Sequence, residues 1–389
     1  MEGVYGIGCP DGRTRMKRIA IVRGKFLNRY EMQFFEPLVK RYDITAFGSL
    51  TPFHDRFAFP VVKLPSPMDL PEFPYKMPVL NRLFTDAHYL LGLEDRLSGF
   101  DLVHTAETYY RYTQQCLSAK RRGSVKKVIA TVLETIPFNN EGIWGRKAYK
   151  ARARRDLDHM IALTNKTKET LITEGADPKK ITVISHFIDT KRFRPGVNRK
   201  PHPLTVLFTG RLEEYKGVMD ILEAAEKLSH DPDLFQAQLK LVFVGSGSMI
   251  HKMRAKEREI LKIWHFEHRS AKYEDMPGVY RTADIFVAPS KPTKTWEEQY
   301  CTALMEAQSA GLPIVTTRSG GIPENVGDAA VLIGPGDVQG LAHALKQFIL
   351  SPVLRKTYAD RARVRAVRVH DIRIGSDKMA ALYERVLSG

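Results

Sequence analysis

Apolar positions along the chain fall into short β-rich runs separated by segments of helical period, and the whole alternation occurs twice. Arg18–Val22 predicts a strand that ends in the turn Arg23-Gly24-Lys25. In Tyr30–Val39, Met32, Phe34, Phe35 and Leu38 recur at roughly helical spacing, and Ile44–Phe47 predicts a second strand. This strand–turn–helix–strand unit is the start of a parallel sheet. Six prolines make Pro60–Pro78 a loop, because proline removes a donor and breaks helices. Leu80–Leu97 then reads as a helix, Trp144–Asp158 as a basic helix, and Asp101–His104, Lys126–Val132, Ile161–Leu163 and Ile181–Ile184 as further strands.

Lys191–Pro203 is polar and proline-containing, as a linker would be, and the pattern restarts beyond it. Leu204–Thr209 is a strand, and Val218–Leu228 a helix with Val218, Ile221, Leu222, Ala225 and Leu228 on one face. Leu239–Val244, Ile285–Ala288 and Ile314–Thr316 are strands, and a last helix lies near Ser376–Leu387. The prediction is an α/β protein with two Rossmann-like domains facing across a cleft. The expected division is a flexible extension over 1–15, a first domain over 16–195, a second over 196–370 and a C-terminal helix over 371–389.

Composition narrows the class. A chain of 389 residues exceeds one typical core, and 43% hydrophobic residues fit a globular protein. No run of 18 apolar residues exists, and no signal-peptide core precedes the first strand. Cys9, Cys116 and Cys301 have no metal-ligand spacing, so a reducing, cytoplasmic setting is expected. The net charge of +16 is concentrated in the first half, which suggests an anionic partner. Nucleic acid is disfavoured, since no finger, RNP or helix-turn-helix pattern accompanies the charge. An anionic membrane face is one alternative and a generally basic surface the other. Trp144–Arg155 carries Arg146, Lys147, Lys150, Arg152, Arg154 and Arg155 beside Trp144 and Tyr149. It reads either as a helix at a lipid interface or as a solvated cationic face.

The candidate chemistry centres on Trp296–Glu324. Glu298 and Glu306 are eight residues apart, about two turns plus 80° of a helix, so they do not share one helical face. Glu298 is therefore expected in a loop and Glu306 in a helix that starts near Thr302, a residue of N-cap type. Amides of Cys301, Thr302 and Ala303 would then favour a phosphate. Glu306 is suited to ribose hydroxyls and Glu298 to a sugar. Arg211 and Lys216 follow a strand, where fixed cations stabilise the charge of a departing diphosphate. Gly245-Ser246-Gly247 lacks the third glycine of a dinucleotide fingerprint. Gly24 either lets a ligand approach the backbone or serves a plain turn. His104, Glu107 and Glu134 stand at strand ends of the first half, as acceptor-contacting groups or as structural polar residues.

These stretches carry a resemblance. Gly210-Arg211…Lys216-Gly217, Val242–Gly247, Glu298-x7-Glu306, Gly311-Leu312-Pro313 and Gly320-Gly321-Ile322-Pro323-Glu324 resemble the retaining glycosyltransferases of family 4, which have the GT-B fold. Trp296-Glu297-Glu298-Gln299-Tyr300 resembles their W-x-E-Q-F subgroup, and Val183–Pro195 resembles the family's V-I-P-N-G-V-D-x-x-x-F-x-P. The resemblance implies that Arg211, Lys216 and the amides of Cys301, Thr302 and Ala303 bind a nucleotide-sugar diphosphate; by their turn positions Gly24 is a further candidate at the diphosphate and Gly245 one at the ribose and base. It places Glu306 on the ribose, Arg269 and Ser270 on the base, and Glu298 on the sugar. It also implies a final helix that crosses back to the first domain. No metal or other cofactor is expected, and the acceptor would be a glycan or a lipid-linked group. Three positions depart from the family. Leu133 stands in Thr131-Val132-Leu133-Glu134 where a sugar-contacting histidine is usual, so Glu134 or His104 is expected to substitute. His186-Phe187 replaces Asn-Gly, and Cys301 replaces a glycine. A sugar-nucleotide epimerase, a phosphorylase or a non-catalytic nucleotide-sugar binder remain open alternatives.

Overall fold

The structure, a computed structural model, describes residues 15–196, 203–260 and 263–389. The expected N-terminal extension, apart from Arg15, lies outside the described residues, as do Cys9 and positions 197–202 of the expected linker. In the first half the strands are β1 (Arg18–Gly24), β2 (Asp43–Gly48), β3 (Val61–Lys63), β4 (Leu102–Ala106), β5 (Lys127–Val132), β6 (His159–Ala162) and β7 (Ile181–Val183). They form one sheet in the order β3-β2-β1-β4-β5-β6-β7, with every pair parallel. In the second half they are β8 (Leu204–Thr209), β9 (Leu239–Val244), β10 (Trp264–Arg269), β11 (Ile285–Ala288), β12 (Ile314–Thr317) and β13 (Val331–Ile333). Their sheet runs β10-β9-β8-β11-β12-β13, again all parallel.

Both sheets are covered on two faces, as parallel sheets require, which is why their strands read as unbroken apolar runs. Along β1, Ile19 and Ile21 enter one core and Ala20 and Val22 the other. Along β8, Val206 and Phe208 face one layer and Leu207 the opposite one. The last helix, Ile372–Ser388, returns to the first half, where Met379, Leu382 and Tyr383 share a core with Ile19, Ile21 and Phe35. Ser376 Oγ donates to the Phe34 carbonyl at 2.6 Å and Tyr42 donates to Glu384 at 2.6 Å.

Several elements differ from their sequence-based expectation for identifiable reasons. The helix expected over Tyr30–Val39 is one turn, Arg29–Met32, followed by a 3-10 turn at Glu36–Lys40, because Pro37 cannot continue an α-helix. The helix expected over Leu80–Leu97 is split into Lys76–Leu83 and Leu93–Arg96. Between them the buried Asp86 accepts from Arg111 N at 2.8 Å and from Arg146 at 3.1 Å, and Gly92 at φ +74° sets the next start. Within the proline-rich loop, β3 pairs with β2. The strands β10 and β13 were not among the expected elements: β10 interleaves His265, Glu267 and Arg269 with its apolar positions, and β13 is only the last three residues of the short apolar run Ala329–Ile333.

Candidate functional site

The carboxyl ends of β8 and β9 are bare. Gly210 and Gly245 follow them at φ +145° and +152°, and a Cβ on Gly245 would overlap the carbonyl oxygen of Gly210. Only glycine satisfies both the dihedral and the contact. What remains is a cavity of about 530 Å³, walled mainly by the second half, with Tyr30 contributed by the first.

Lys216 enters this cavity from the turn Glu214–Lys216, which Gly217 closes at φ +71°. Its Nζ lies 2.5 Å from Glu298 Oε2, and Ser290 Oγ donates to the same oxygen at 2.9 Å. The ammonium also sits 4.8 Å from the centre of the Trp296 ring. Arg211 lines the same space, its guanidinium 5.3 Å from the Tyr215 ring. Glu298 occupies a loop between β11 and the helix Thr302–Ser309, as the eight-residue spacing required. That loop rests on the turn Gly320-Gly321. A Cβ on Gly320 would strike the Glu298 carbonyl, and Gly321 N donates to that carbonyl at 2.8 Å.

The helix Thr302–Ser309 points its first turn into the cavity, so amides without intrahelical partners meet the space that a phosphate would fill. Its N-cap is Cys301 rather than Thr302: Cys301 adopts φ +57° and offers no side-chain cap, which places Thr302 inside the helix. Burial pushes the Cys301 thiol up to about 12, so it is protonated at neutral pH and no nucleophile. Glu306 sits one turn deeper. Tyr280 donates to its carboxylate at 2.6 Å and is itself 2.7 Å from Thr209 Oγ1. Burial lifts Glu306 to about 7, opposed by the Tyr280 hydrogen bond and by Arg192.

The structure thus gathers Arg211, Lys216, Gly245, Ser270, Glu298, Cys301, Thr302, Ala303 and Glu306 around one cavity. Arg269 lines the adjoining depression and pairs with Glu267 at 3.1 Å. Gly24 lies outside the cavity at the end of β1, against the Tyr112 ring. Glu134, also outside, accepts from the amides of Thr135 and Ile136 at 3.0 Å and from Asn139 at 2.8 Å, and burial raises its pKa.

His104 requires correction as a catalytic candidate. It is fully buried, its Nδ1 2.7 Å from Tyr383 OH and its Nε2 2.7 Å from Thr131 Oγ1. Desolvation first, and Arg23 second, hold its pKa well below the ordinary value. It ties the returning helix to β4 and β5 and reaches no ligand space. Glu107 is likewise enclosed, with φ +58° and a pKa pushed up to about 8 by burial.

The basic segment is also corrected. In the helix Arg146–Asp156, Arg146 and Lys150 are buried and pair with Asp86 and Glu174, and Arg154 also reaches Glu174, at 2.9 Å. Lys147, near an 81% exposed Trp144, and Arg155, at the far end of the helix and paired with Asp156, remain exposed. Among the described residues no helix is long and apolar enough to cross a membrane. Tyr30, Tyr273, Tyr280 and Ser290 were missed in sequence. Ser290 stands just past β11, after Pro289, a strand-end signal that could have found it, whereas the tyrosines have no local mark.

Two all-parallel domains, a cavity at the strand ends of the second and a helix returned to the first define the GT-B architecture. Family models match both halves: "Glycosyltransferase Family 4" over residues 29–192 and "Glycosyl transferases group 1" over 189–365. The chain belongs to this glycosyltransferase family. It is 28% identical over 270 residues to a D-inositol 3-phosphate glycosyltransferase of Corynebacterium aurimucosum, covering 64% of this chain and 58% of that protein. The chain therefore spans little more than half the length of that relative. It is 25% identical over 318 residues to an MMP alpha-(1->4)-mannosyltransferase of Mycolicibacterium hassiacum, covering 76% and 73% respectively. Among solved structures, Anabaena Alr3699/HepE in complex with UDP has the same fold, with TM-score 0.73 at 15% identity over 95% of this chain and 100% of that one.

Proposed function

We propose that this protein is a retaining, metal-independent glycosyltransferase. It moves a hexose from a UDP- or GDP-linked donor to a glycan, lipid or glycoconjugate acceptor. The observation that carries the reading is the convergence of Arg211, Lys216, the first amides of Thr302–Ser309 and two carboxylates on one cavity. The bond that breaks joins the anomeric carbon to the diphosphate, and negative charge builds on the departing oxygens. Arg211 and Lys216 oppose that charge where a metal would elsewhere. Glu306 accepts hydrogen bonds from ribose hydroxyls, Ser270 and Arg269 border the base, and Glu298, held by Lys216 and Ser290, meets the sugar. Retention rests on the family resemblance, and a UDP donor is supported by the Anabaena relative that holds UDP.

A thermal-shift panel of nucleotide sugars, followed by transfer assays without added metal, tests this. Stabilisation by one donor and product formation resistant to chelator are expected; no donor binding, or hydrolysis-free epimerisation, overturns it. The site of action is cytoplasmic, at the inner face of a membrane. Exposed Leu83, Phe84 and Trp144 border one groove together with Arg111, and Lys147 is exposed three residues from Trp144. Salt-sensitive sedimentation with anionic liposomes, lost in Trp144→Ala, is the expected outcome; equal pelleting of the variant removes the membrane contact.

A further inference from the structure

Three sets of contacts join the first half to the loop that carries Glu298 and to the helical turn beyond the glycines on which that loop rests. Asn139 Nδ2 donates to the Thr295 carbonyl at 3.0 Å. Lys166 Nζ lies 2.7 Å from Glu297 Oε2. Glu324, directly after the Gly320-Gly321 turn and Ile322-Pro323, reaches across to the helix Asn165–Thr173. Its carboxylate accepts from Asn165 N at 2.8 Å, Asn165 Nδ2 at 2.9 Å and Lys166 N at 3.1 Å. Thr164 Oγ1 takes the next amide, Thr167 N, at 3.0 Å. A carboxylate from the second half thus completes the cap of a helix in the first, where amide dipoles favour negative charge.

The turn beneath links this cap to the site. Cβ atoms on Gly320 and Gly321 would strike the carbonyls of Glu298 and Gln299, and one on Gly321 would also crowd the Thr164 methyl. Backbone that tight transmits a displacement instead of absorbing it. On the far side, Asn139 bridges Thr295 to Glu134, and its own loop is fixed by Lys150 and Glu174, which bond the Asn139 carbonyl and the Phe138 amide.

We propose that the first domain sets the position of Glu298 through this clasp, with Glu324 and Lys166 as positioning residues. The inference rests on the donor reading above and extends it. Glu298 meets the donor sugar in register only while the halves are engaged. The grip on the diphosphate, by Arg211, Lys216 and the helix amides, belongs to the second half alone. The clasp therefore acts on the sugar moiety and not on the nucleotide.

The test uses the full chain and calorimetric titration of UDP-glucose and GDP-mannose, each beside its nucleoside diphosphate. For Glu324→Gln, whose amide group would face the Asn165 and Lys166 donors, affinity for the accepted nucleotide sugar should fall about tenfold. Affinity for the nucleoside diphosphate should stay within about twofold. Lys166→Met, at a half-exposed side chain that cannot unfold the protein, should give the same split at about threefold, and the double variant should lose less than the product of the two. Equal losses for sugar and diphosphate forms, or none, overturn the clasp. Small-angle scattering supplies a readout free of the donor: the double variant should have a larger radius of gyration than the wild type. A wild type that binds neither nucleotide sugar ends the donor reading alone. Unchanged scattering then ends the clasp as well.

Discussion

The strand ends of the two halves share one topology and have opposite contents. In the second half β8 and β9 end in Gly210 and Gly245, and the space beyond is an open cavity rimmed by Arg211, Lys216, Glu298 and Glu306. In the first half the ends of β4 and β5 carry His104, Glu107 and Glu134, and those groups are spent on the protein itself. His104 bonds Tyr383 and Thr131, and Glu107 accepts from Leu133 N at 2.9 Å. The open sheet offers a site at its carboxyl edge in both cases. Whether the site is free depends on what stands there: Gly210 and Gly245 leave room, whereas in the first half the Tyr112 ring closes over Gly24 and the long polar side chains find partners and fill the space.

The largest test of the contrast is Lys216→Ala. It removes a cation that faces the cavity and whose main partner, Glu298, also faces the cavity. Turnover should fall about 10²–10³-fold, the cost of losing one preorganised group that opposes transition-state charge. The melting temperature should fall modestly, since the buried Glu298 carboxylate that loses its cation keeps the Ser290 hydroxyl and borders the cavity, where water can reach it. Transfer at the wild-type rate would show that the open half is not where the bond breaks.

His104→Ala should show the reverse split. The imidazole joins three elements, so its loss should cost about 2–4 kcal/mol in chemical denaturation, through a cavity and two stranded hydroxyls. Turnover per folded molecule should stay within about threefold. The sign of the pH effect follows from its depressed pKa. Folded His104 resists protonation while the unfolded chain accepts it near 6.5, so stability is lost as pH falls below that value. The variant should show a shallower decline on the acid side. A large loss of turnover with little loss of stability would return His104 to the active site.

The same contrast explains what could be read in advance. Elements of the second half were legible because its motifs are local: a strand, then Gly210-Arg211, then a turn ending in Lys216-Gly217, with spacing that fixes the loop and the helix for Glu298 and Glu306. The first half was misread where the decisive contact is remote. Tyr383 reaches His104 across 279 residues, and Arg146 and Lys150 turn inward toward Asp86 and Glu174 because buried carboxylates wait there. No helical pattern of positive charge distinguishes that arrangement from a solvated face. Pro37 and Gly92 were in plain view: Pro37 cut short one helix that apolar period alone had extended, and Gly92 marks a fresh helix start inside the other. Glu324 was noticed only as part of a motif, since its partners at Asn165 and Lys166 belong to the other domain.

The smallest predicted effect isolates Glu306 from its neighbours. Burial raises its carboxyl to about 7, so the group is mostly protonated at pH 6 and mostly ionised at pH 8. A protonated acid presents one oxygen as a donor, whereas the carboxylate accepts from two ribose hydroxyls at once. Affinity for a nucleotide sugar should therefore rise with pH by up to about tenfold across this window. A nucleotide sugar is the right probe, because its diphosphate has no terminal group titrating near neutrality. The stability of the empty protein should move the other way. A folded pKa above the unfolded one gives a contribution that is complete below about 4.5 and lost as pH rises through 7. Glu107, raised to about 8, acts in the same direction on stability but lies outside the cavity, so it should leave the binding profile alone. Titrations of UDP-glucose and GDP-mannose at pH 6, 7 and 8 should give a sloping profile for the wild type and a flat, weaker one for Glu306→Gln. An equal slope in both proteins would assign the titration to another group and detach Glu306 from the ribose, leaving the cations as the only anchored part of the open half.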